Sequence, residues 1–219
     1  NQRLQAKKVK NPVQNIIKLL MKSSYGKTAL KEITDDIKYI KSGDFNKFLT
    51  RNYNSITTSS SGQYCSITVS GETIYNSTDY GSSWVQADNA PNANWVNVVS
   101  SANGIYRTAC ITNGTIMRSS DYGITWSSSD APDSNWSKVA MSSSGQYQIA
   151  CVNYGKIYYS LNYGVNWVQS NSTTDIWKSV SISSLGTIST AVSNFHIYLL
   201  LWITTISQLY LRCLFEADF

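Results

Sequence analysis

The sequence predicts a mainly β chain built from a repeated unit of 41 or 42 residues. A motif of the form Ser-x-Asp/Asn-x-Gly-x-x-Trp occurs three times and ends at Trp84, Trp126 and Trp167. Two further series keep the same step: Trp95, Trp136 and Trp177, and Gly62, Gly104, Gly145 and Gly186. A period of roughly 40 to 45 residues with short alternating runs is typical of a four-stranded propeller blade. We therefore expect a partial β-propeller of about three to three and a half blades, with a short N-terminal α-helical segment.

One repeat shows the expected order of its strands, which are 95–100, 106–112, 115–119 and 125–129. Asn113-Gly114 predicts a two-residue hairpin loop, because both central positions of that turn favour positive φ. Tyr53 takes the place of the first tryptophan, since it precedes Gly62 by nine residues, as Trp95 precedes Gly104. The predicted blades of the region 53–192 are 53–94, 95–135, 136–176 and a partial 177–192.

The repeated motif resembles the Asp-box, or bacterial neuraminidase repeat, of sialidase-like propellers. The resemblance implies a structural role for the motif, in which the Asp side chain accepts backbone N–H groups of its own turn. The glycine supplies the turn conformation, and the tryptophan is buried beneath it. Asn162 departs from the pattern, but its amide oxygen can still accept. The residues carrying this prediction are Asp79, Gly81, Trp84, Asp121, Gly123, Trp126, Asn162, Gly164 and Trp167.

Positive charge is concentrated at the start of the chain. Residues 1–52 hold 12 Lys and Arg against 4 acidic residues, whereas residues 53–192 hold 5 against 7 and residues 193–219 hold 1 against 2. These net charges of +8, −2 and −1 sum to the +5 of the whole chain. The basic segment therefore has a different origin or a different partner from the repeats.

A lysine stripe marks the predicted helix of this basic segment. Lys18, Lys22 and Tyr25 lie at positions i, i+4 and i+7, on one face of a helix. The spacing fits a triphosphate with a base stacked nearby, but spacing alone favours an amphipathic helix with a solvated lysine face. Residues 18–28 resemble the K-x-x-x-N-S-x-Y-G fingers motif of viral and organellar protein-primed family B DNA polymerases. The resemblance implies that Lys18 binds a nucleotide triphosphate and that Tyr25, followed by Gly26, lies beside the nascent base pair. Lys22 stands where the family has asparagine.

Catalytic chemistry of either family is not expected from this sequence. No segment resembles the palm-aspartate motifs that hold the two metal ions of a polymerase. Sialidases bind their substrate with three arginines, and the repeats contain only Arg107 and Arg118. With His196 as the single histidine, we predict neither a metal site nor a cofactor.

The preferred function is a non-catalytic propeller that serves as a binding or scaffold module, fused to a remnant of a viral-type family B DNA polymerase. The first alternative is a nucleotide- and DNA-binding polymerase fragment, and the second is a carbohydrate-active, sialidase-like propeller. The expected partners are nucleic acid or a deoxynucleotide through residues 1–52, and an unknown protein or glycan for the propeller. Self-association is expected through open blade faces, because too few blades are present to close a ring.

The end of the chain interrupts the repeat. Residues 195–215 form a mostly apolar run within the tail 193–219, long enough to cross a membrane. The rival interpretation is a truncation or frameshift product, and we favour it because the change falls within a blade. Buried free thiols are expected at Cys110 and Cys151, which favours an intracellular location. The sequence leaves membrane association through 195–215 open.

Overall fold

The computed structural model describes residues 51–194, 196–203 and 208–216, and all regular structure in these residues is β. Sixteen strands follow one another in antiparallel pairs and form four units of four strands each. The first unit contains β1 Tyr53–Thr58, β2 Cys65–Val69, β3 Ile74–Ser77 and β4 Val85–Gln86. The second contains β5 Trp95–Ser100, β6 Arg107–Gly114, β7 Ile116–Ser119 and β8 Ser127–Ser128.

The third and fourth units repeat this order. The third contains β9 Ser134–Met141, β10 Gln148–Gly155, β11 Ile157–Ser160 and β12 Val168–Gln169. The fourth contains β13 Asp175–Ile182, β14 Ile188–Ser193, β15 His196–Ile203 and β16 Gln208–Glu216. Each last strand of the first three units is only two residues long, shorter than the predicted 125–129.

The fourth unit continues beyond the predicted partial blade 177–192. Residues 196–203 pair with β14, and residues 208–216 pair with residues 196–203, so the apolar run forms two strands of this sheet. A mostly apolar run of 21 residues is long enough for a membrane span, but its length also accommodates two strands of eight or nine residues. Within the described part of the chain, no helix has the length and apolar character needed to cross a membrane.

The hairpin between β6 and β7 differs from the predicted two-residue loop. The amide of Ile111 donates to the carbonyl of Thr115, so residues 112–114 form a three-residue loop. Asn113 has a φ of 54°, whereas Gly114 lies outside the positive-φ region. The loop has this form because its residues also pair with β9, through Thr112 with Asn135 and Gly114 with Ser134. The hairpin end therefore links two units.

The core lies between successive units, not within any one of them. The clusters contain Ile74, Ala87, Trp95 and Val98; Cys110, Ile116, Trp136 and Val139; and Ile149, Ile157, Trp177 and Val180. Trp95, Trp136 and Trp177 are fully buried, and the indole N–H of each donates to a hairpin carbonyl of the preceding unit. The acceptors are Glu72, Gly114 and Gly155, at 2.9, 2.9 and 3.0 Å. Packing and a satisfied indole group thus stabilise the same contact.

A second contact between units is a row of hydrogen bonds, here named the turn ladder, formed by residues 60, 102, 143 and 184. Each of these residues lies in the turn between the first two strands of its unit. The amide of Ser60 donates to Ala102 at 2.8 Å, that of Ala102 to Ser143 at 2.8 Å, and that of Ser143 to Ser184 at 2.9 Å. Every bond runs from the N–H of one unit to the carbonyl of the next, so the ladder has a direction.

The N-terminal helical segment predicted for residues 1–52 cannot be compared with the structure, because residues 1–50 lie outside the described residues. The same applies to its predicted site residues Lys18, Lys22, Tyr25 and Gly26.

Candidate functional site

The three motif copies form three similar loops between the third and fourth strands of their units. We name them loop 1 (77–84), loop 2 (119–126) and loop 3 (160–167). In loop 1 the Asp79 carboxylate accepts the amide of Ser83 at 2.8 Å and its hydroxyl at 2.6 Å. The amide of Gly81 donates to the Ser77 hydroxyl at 2.8 Å. The loop is therefore closed by its own side chains, as expected for an Asx-type turn.

Loop 2 has the same internal bonds, with Thr125 in place of Ser83. In loop 3 the Asn162 amide oxygen accepts the amide of Asn166 at 2.9 Å, so the amide occupies the place of the carboxylate. Two consecutive residues of each loop, a tyrosine and then a glycine, have positive φ. These conformations disfavour most side chains, which explains the repeated glycine.

The loop tryptophans close the base of each loop. The indole N–H of Trp84 donates to Gly81, that of Trp126 to Gly123 and that of Trp167 to Gly164, at 3.0, 2.8 and 3.1 Å. The nine predicted motif residues thus lie in three separate loops, each bonded internally, and they do not converge on one site.

The two loop carboxylates have lowered pKa values. Hydrogen bonding from the Ser83 hydroxyl lowers the pKa of Asp79. Partial burial opposes the charge of Asp121, but hydrogen bonds from Thr125 and Ser119 outweigh it, and the net pKa is again lowered. Both side chains are therefore ionised at neutral pH and act as acceptors.

A cleft of about 210 Å³ lies where the first two units meet at their outer edge. Its aliphatic walls are Val85 of β4 and Ile124 of loop 2, which are 68% and 50% exposed. Polar groups complete the lining: Asn76, Thr78, Ser83, Gln86 and Asp88. The Asp88 side chain accepts no hydrogen bond from the described residues, so its carboxylate is available to a ligand.

Backbone pairing between the units holds the cleft in shape. The amide of Asp88 donates to Ile124 at 2.8 Å, and the carbonyl of Asp88 accepts the amide of Trp126 at 3.1 Å. Asn76 forms the floor, and its amide group donates to the carbonyl of Gly123. Both walls are therefore fixed to each other before any ligand arrives.

Arg107 lies fully buried behind this floor, between the first two units. Its Nη1 donates to the Cys65 carbonyl at 2.8 Å, to Asn76 Oδ1 at 3.1 Å and to the Ser66 hydroxyl. Its Nη2 has no hydrogen-bond partner in the described part of the chain. Burial lowers the pKa of Arg107 to about 10, so the guanidinium stays charged at neutral pH. Its role is to position Asn76 and to join the two units.

Between the second and third units, a neutral side chain occupies the position that matches Arg107. Gln148 replaces Arg107, donating to the Gly145 carbonyl at 2.9 Å and accepting from the Thr108 hydroxyl at 2.8 Å. At the outer edge, the Asp130 carboxylate accepts the amides of Trp167 and of the Asn166 side chain, at 2.7 and 2.8 Å. The carboxylate at this second edge thus accepts internal hydrogen bonds, whereas the Asp88 carboxylate at the first edge accepts none from the described residues.

Sequence reasoning did not identify the cleft or the burial of Arg107. The signal for Arg107 is its position, three residues after Gly104 at the start of a strand whose next members are buried. The expected free thiols are confirmed at Cys110 and Cys151, and burial raises their pKa values to about 12 and about 11. Among the described residues, no group of three His, Cys, Asp or Glu side chains could hold a metal ion.

Comparison with known proteins identifies the fold. Neither a protein-family profile nor a curated protein matches the sequence. Solved structures do match: the GH74 enzyme of Niastella koreensis has a TM-score of 0.57 and 16% identity over 72% of this chain and 24% of that one. YCF48 bound to D1 peptide has a TM-score of 0.54 and 18% identity, over 74% and 54% of the two chains. The β-propeller domain of Myceliophteria thermophila Swd1 gives 0.57 and 12%, over 73% and 57%.

The fold is a β-propeller. The prediction of a mainly β, partial propeller is confirmed by the sixteen strands and by these neighbours. The chain spans only 24 to 57% of the length of the three neighbours described above, and the identities are too low to show more than the fold. The units described above are therefore propeller blades.

Proposed function

We propose that this chain is a non-catalytic propeller module that binds a peptide segment of a partner protein in the cleft between its first two blades. The observation that carries the proposal is the open cleft itself, in which Val85 and Ile124 remain exposed beside the unbonded Asp88 carboxylate. A concave apolar surface with a few polar groups at its edge is typical of binding sites.

The lining defines the chemistry of the ligand. Val85 and Ile124 suit an aliphatic side chain, and the Asp88 carboxylate suits a lysine or arginine beside it. At about 210 Å³ the cleft accepts one or two side chains, so the ligand is a short segment rather than a folded surface. The neighbour YCF48 was solved with a bound D1 peptide, which supports peptide recognition by this fold in general.

A sialidase-like function has less support. Arg107 is one of only two arginines in the repeats, and it is fully buried between blades. The loop carboxylates Asp79 and Asp121 are bonded within their own turns. We assign the three loops the structural role that an Asp-box resemblance implies, and glycan binding is kept as an opposing outcome of the test.

The test is fluorescence anisotropy with labelled hexapeptides that carry Leu-Lys at their centre, against the full chain. Val85→Ser and Ile124→Ser together should weaken binding at least tenfold, because they remove the aliphatic walls of the cleft. Serine is chosen because it stands at the matching positions 127 and 82 of the repeat. Asp88→Asn should abolish the preference for Leu-Lys over Leu-Glu peptides. Val168→Ser changes the matching valine of the third blade and is the control, with unchanged binding expected.

Two results would contradict the proposal. The first is equal affinity of the wild type and the Val85→Ser, Ile124→Ser variant for the Leu-Lys peptide. The second is binding to an immobilised glycan panel with no binding to either peptide.

We further propose, as a separate activity, that residues 1–52 contact nucleic acid or a deoxynucleotide as a remnant of a viral-type polymerase. The support is the fingers-like motif and the net charge of +8 of this segment. The Lys18→Ala, Lys22→Ala variant should lose affinity for labelled primer–template DNA, and added deoxynucleotide triphosphate should raise the affinity of the wild type alone. Undiminished DNA binding by the variant at moderate salt would remove the assignment.

The third part of the proposal is self-association through the first and last blade faces. Ile56 in β1 and Ile188 in β14 are exposed aliphatic residues on strands of these two blades. A second copy of this chain is the partner that both faces share.

A further inference from the structure

We infer that the partner segment binds as an extended β-strand, which is added to the outer edge of the first blade through the main-chain groups of Gln86. This binding mode rests on the proposed peptide-binding function and specifies the conformation of the peptide in the same cleft. Its basis is a main-chain donor and acceptor beside the cleft that have no partner among the described residues, in line with a strand pairing that is already present.

The pairing of β3 with β4 determines which way the main-chain groups of β4 point. Tyr75 lies opposite Gln86, and the amide of Ala87 donates to the carbonyl of Ile74 at 2.8 Å. Hydrogen-bonded and non-hydrogen-bonded pairs alternate along an antiparallel ladder, so Val85 and Ala87 direct their main-chain groups toward β3. Gln86 lies between them and therefore directs its N–H and C=O outward, where neither group has a partner in the described part of the chain.

Loop 2 already forms the beginning of an added row at this edge. The amide of Asp88 donates to the carbonyl of Ile124 at 2.8 Å, and the carbonyl of Asp88 accepts the amide of Trp126 at 3.1 Å. Asp88 and Thr125 thereby form a parallel bridge. Since Asp88 follows Gln86 by two positions, the outward groups of both residues lie along the same edge of the strand. A segment beside Gln86 therefore continues the row that residues 124–126 begin.

The corresponding row at the outer edge of the second blade is incomplete. The amide of Asp130 donates to Val165 at 3.3 Å, but the amide of Trp167 donates to the Asp130 carboxylate at 2.7 Å and not to its carbonyl. The side chain of Asp130 thus replaces one main-chain bond and is itself occupied. The first edge has both the complete main-chain pairing of Asp88 and a carboxylate without a partner among the described residues, and the second edge has neither.

The side chains of the cleft suit an extended ligand. Val85 and Asp88 are three positions apart, so along an extended chain their side chains lie on opposite faces. Adjacent leucine and lysine residues of an extended peptide also point to opposite faces, so the leucine contacts Val85 and Ile124 while the lysine contacts the Asp88 carboxylate. Strand addition of this kind obtains affinity from main-chain hydrogen bonds and specificity from alternate side chains.

The first test is a scan of N-methylation along the Leu-Lys hexapeptide, with binding to the full chain measured by fluorescence anisotropy. An added strand directs only alternate amides toward its neighbour. Methylation of the amide that donates to the Gln86 carbonyl should therefore weaken binding about tenfold. Methylation at either adjacent position should leave the affinity unchanged, because those amides face away from the blade.

The second test removes the matching donor from the protein. Gln86→Pro deletes the outward N–H but keeps the pairing of β4 with β3, since an edge strand accepts proline where its N–H would face solvent. This variant should weaken binding about tenfold. Gln86→Ala retains the N–H and should bind as the wild type does, which controls for the side chain. Gln169→Pro makes the same change at the matching position of the third blade and should leave binding unchanged.

The outcomes separate this binding mode from the proposed function on which it rests. Absence of binding by the unmethylated peptide would remove both. Binding with the expected lysine preference, but with no sensitive amide or with two consecutive amides equally sensitive, would overturn the strand addition alone. Equal losses for Gln86→Pro and Gln86→Ala would also overturn it, because they would assign the contact to the side chain. A wild-type dimer that Gln86→Pro converts to a monomer would assign this edge to a second copy and overturn the inference.

Discussion

The first blade and the internal blades use the same repeat but bury different parts of it. Trp95, Trp136 and Trp177 are buried against a preceding blade, whereas Tyr53, at the same position, is 40% exposed. Val98 is 1% exposed, and its counterpart Ile56 is 68% exposed. The residue types persist in the first blade, although Tyr53 and Ile56 remain exposed there.

The glycines of the loops show the same difference. A Cβ at Gly123 would lie 2.5 Å from Asn76 Oδ1 of the preceding blade, whereas at Gly81 the nearest atom is in the Trp84 ring, 3.7 Å away. Both residues have strongly positive φ. The comparison teaches that the repeat residues serve two purposes, the turn within a blade and the junction to the blade before it.

Removal of a junction tryptophan should have the largest effect. Trp136→Ala should lower the free energy of unfolding by about 3–5 kcal/mol, because it leaves a large cavity between the second and third blades. Tyr53→Ala should cost less than about 1.5 kcal/mol, since the ring is already partly in solvent. Urea unfolding followed by tryptophan fluorescence measures both. Equal losses would show that the first blade is packed as tightly as the third.

The buried polar side chains at two successive blade junctions, Arg107 and Gln148, should contribute unequally to the free energy of unfolding. Arg107→Ala should cost about 2–4 kcal/mol, because it leaves Ser66, Asn76 and the Cys65 carbonyl without their buried partner. Gln148→Ala removes two neutral hydrogen bonds and should cost about 1–2 kcal/mol.

Arg107→Gln, which copies the third blade, should recover part of the loss because it removes the buried charge while keeping a donor. Circular dichroism at increasing urea concentration ranks the three variants. A loss for Arg107→Ala no larger than that for Gln148→Ala would mean that the unpaired Nη2 already cancels the other contacts.

The same comparison explains which features of the structure can be predicted from the sequence. The period, the strand order and the loop residues could be predicted because glycine, tryptophan and short polar turns recur at a fixed step. The role of Arg107 could not, since a single arginine in a strand is usually solvated and only the neighbouring blade supplies its acceptors. The form of the 112–114 loop was also missed, because β9 of the next blade determines it.

The end of the repeat shows a different limit. β15 and β16 carry no glycine, tryptophan loop or hairpin signal at the expected step, so hydrophobic length was the only pattern available. Length alone cannot separate one span from two strands, and the pairing register with β14 supplies what the pattern lacks.

Replacing the loop glycines by alanine should distinguish the cost of straining the turn from the cost of disturbing the junction between blades. Gly81→Ala should cost about 1–2 kcal/mol, the penalty for a side chain at positive φ in open space. Gly123→Ala adds a clash with Asn76 and should cost about 3 kcal/mol. Thermal unfolding by calorimetry gives both values. Similar costs would mean that Asn76 moves aside and that the junction tolerates the methyl group.

Lowering the pH should change the free energy of unfolding through the Asp residues of loops 1 and 2 but not through Asn162 of loop 3. This is the smallest effect that we predict. The pKa of Asp121 is lowered in the folded chain, so its contribution is present above the unfolded value near 3.8 and is lost as pH falls through the lower folded value. Asp121→Asn copies loop 3 and should cost a few tenths to about 1 kcal/mol at pH 7, given the solvent exposure of the loop. Between pH 5 and pH 2.5, roughly the window of carboxylate titration, its unfolding free energy should fall less than that of the wild type. Asn162→Asp should show the reverse change, a steeper fall. Parallel pH profiles for all three chains would show that the loop carboxylates do not contribute to acid stability.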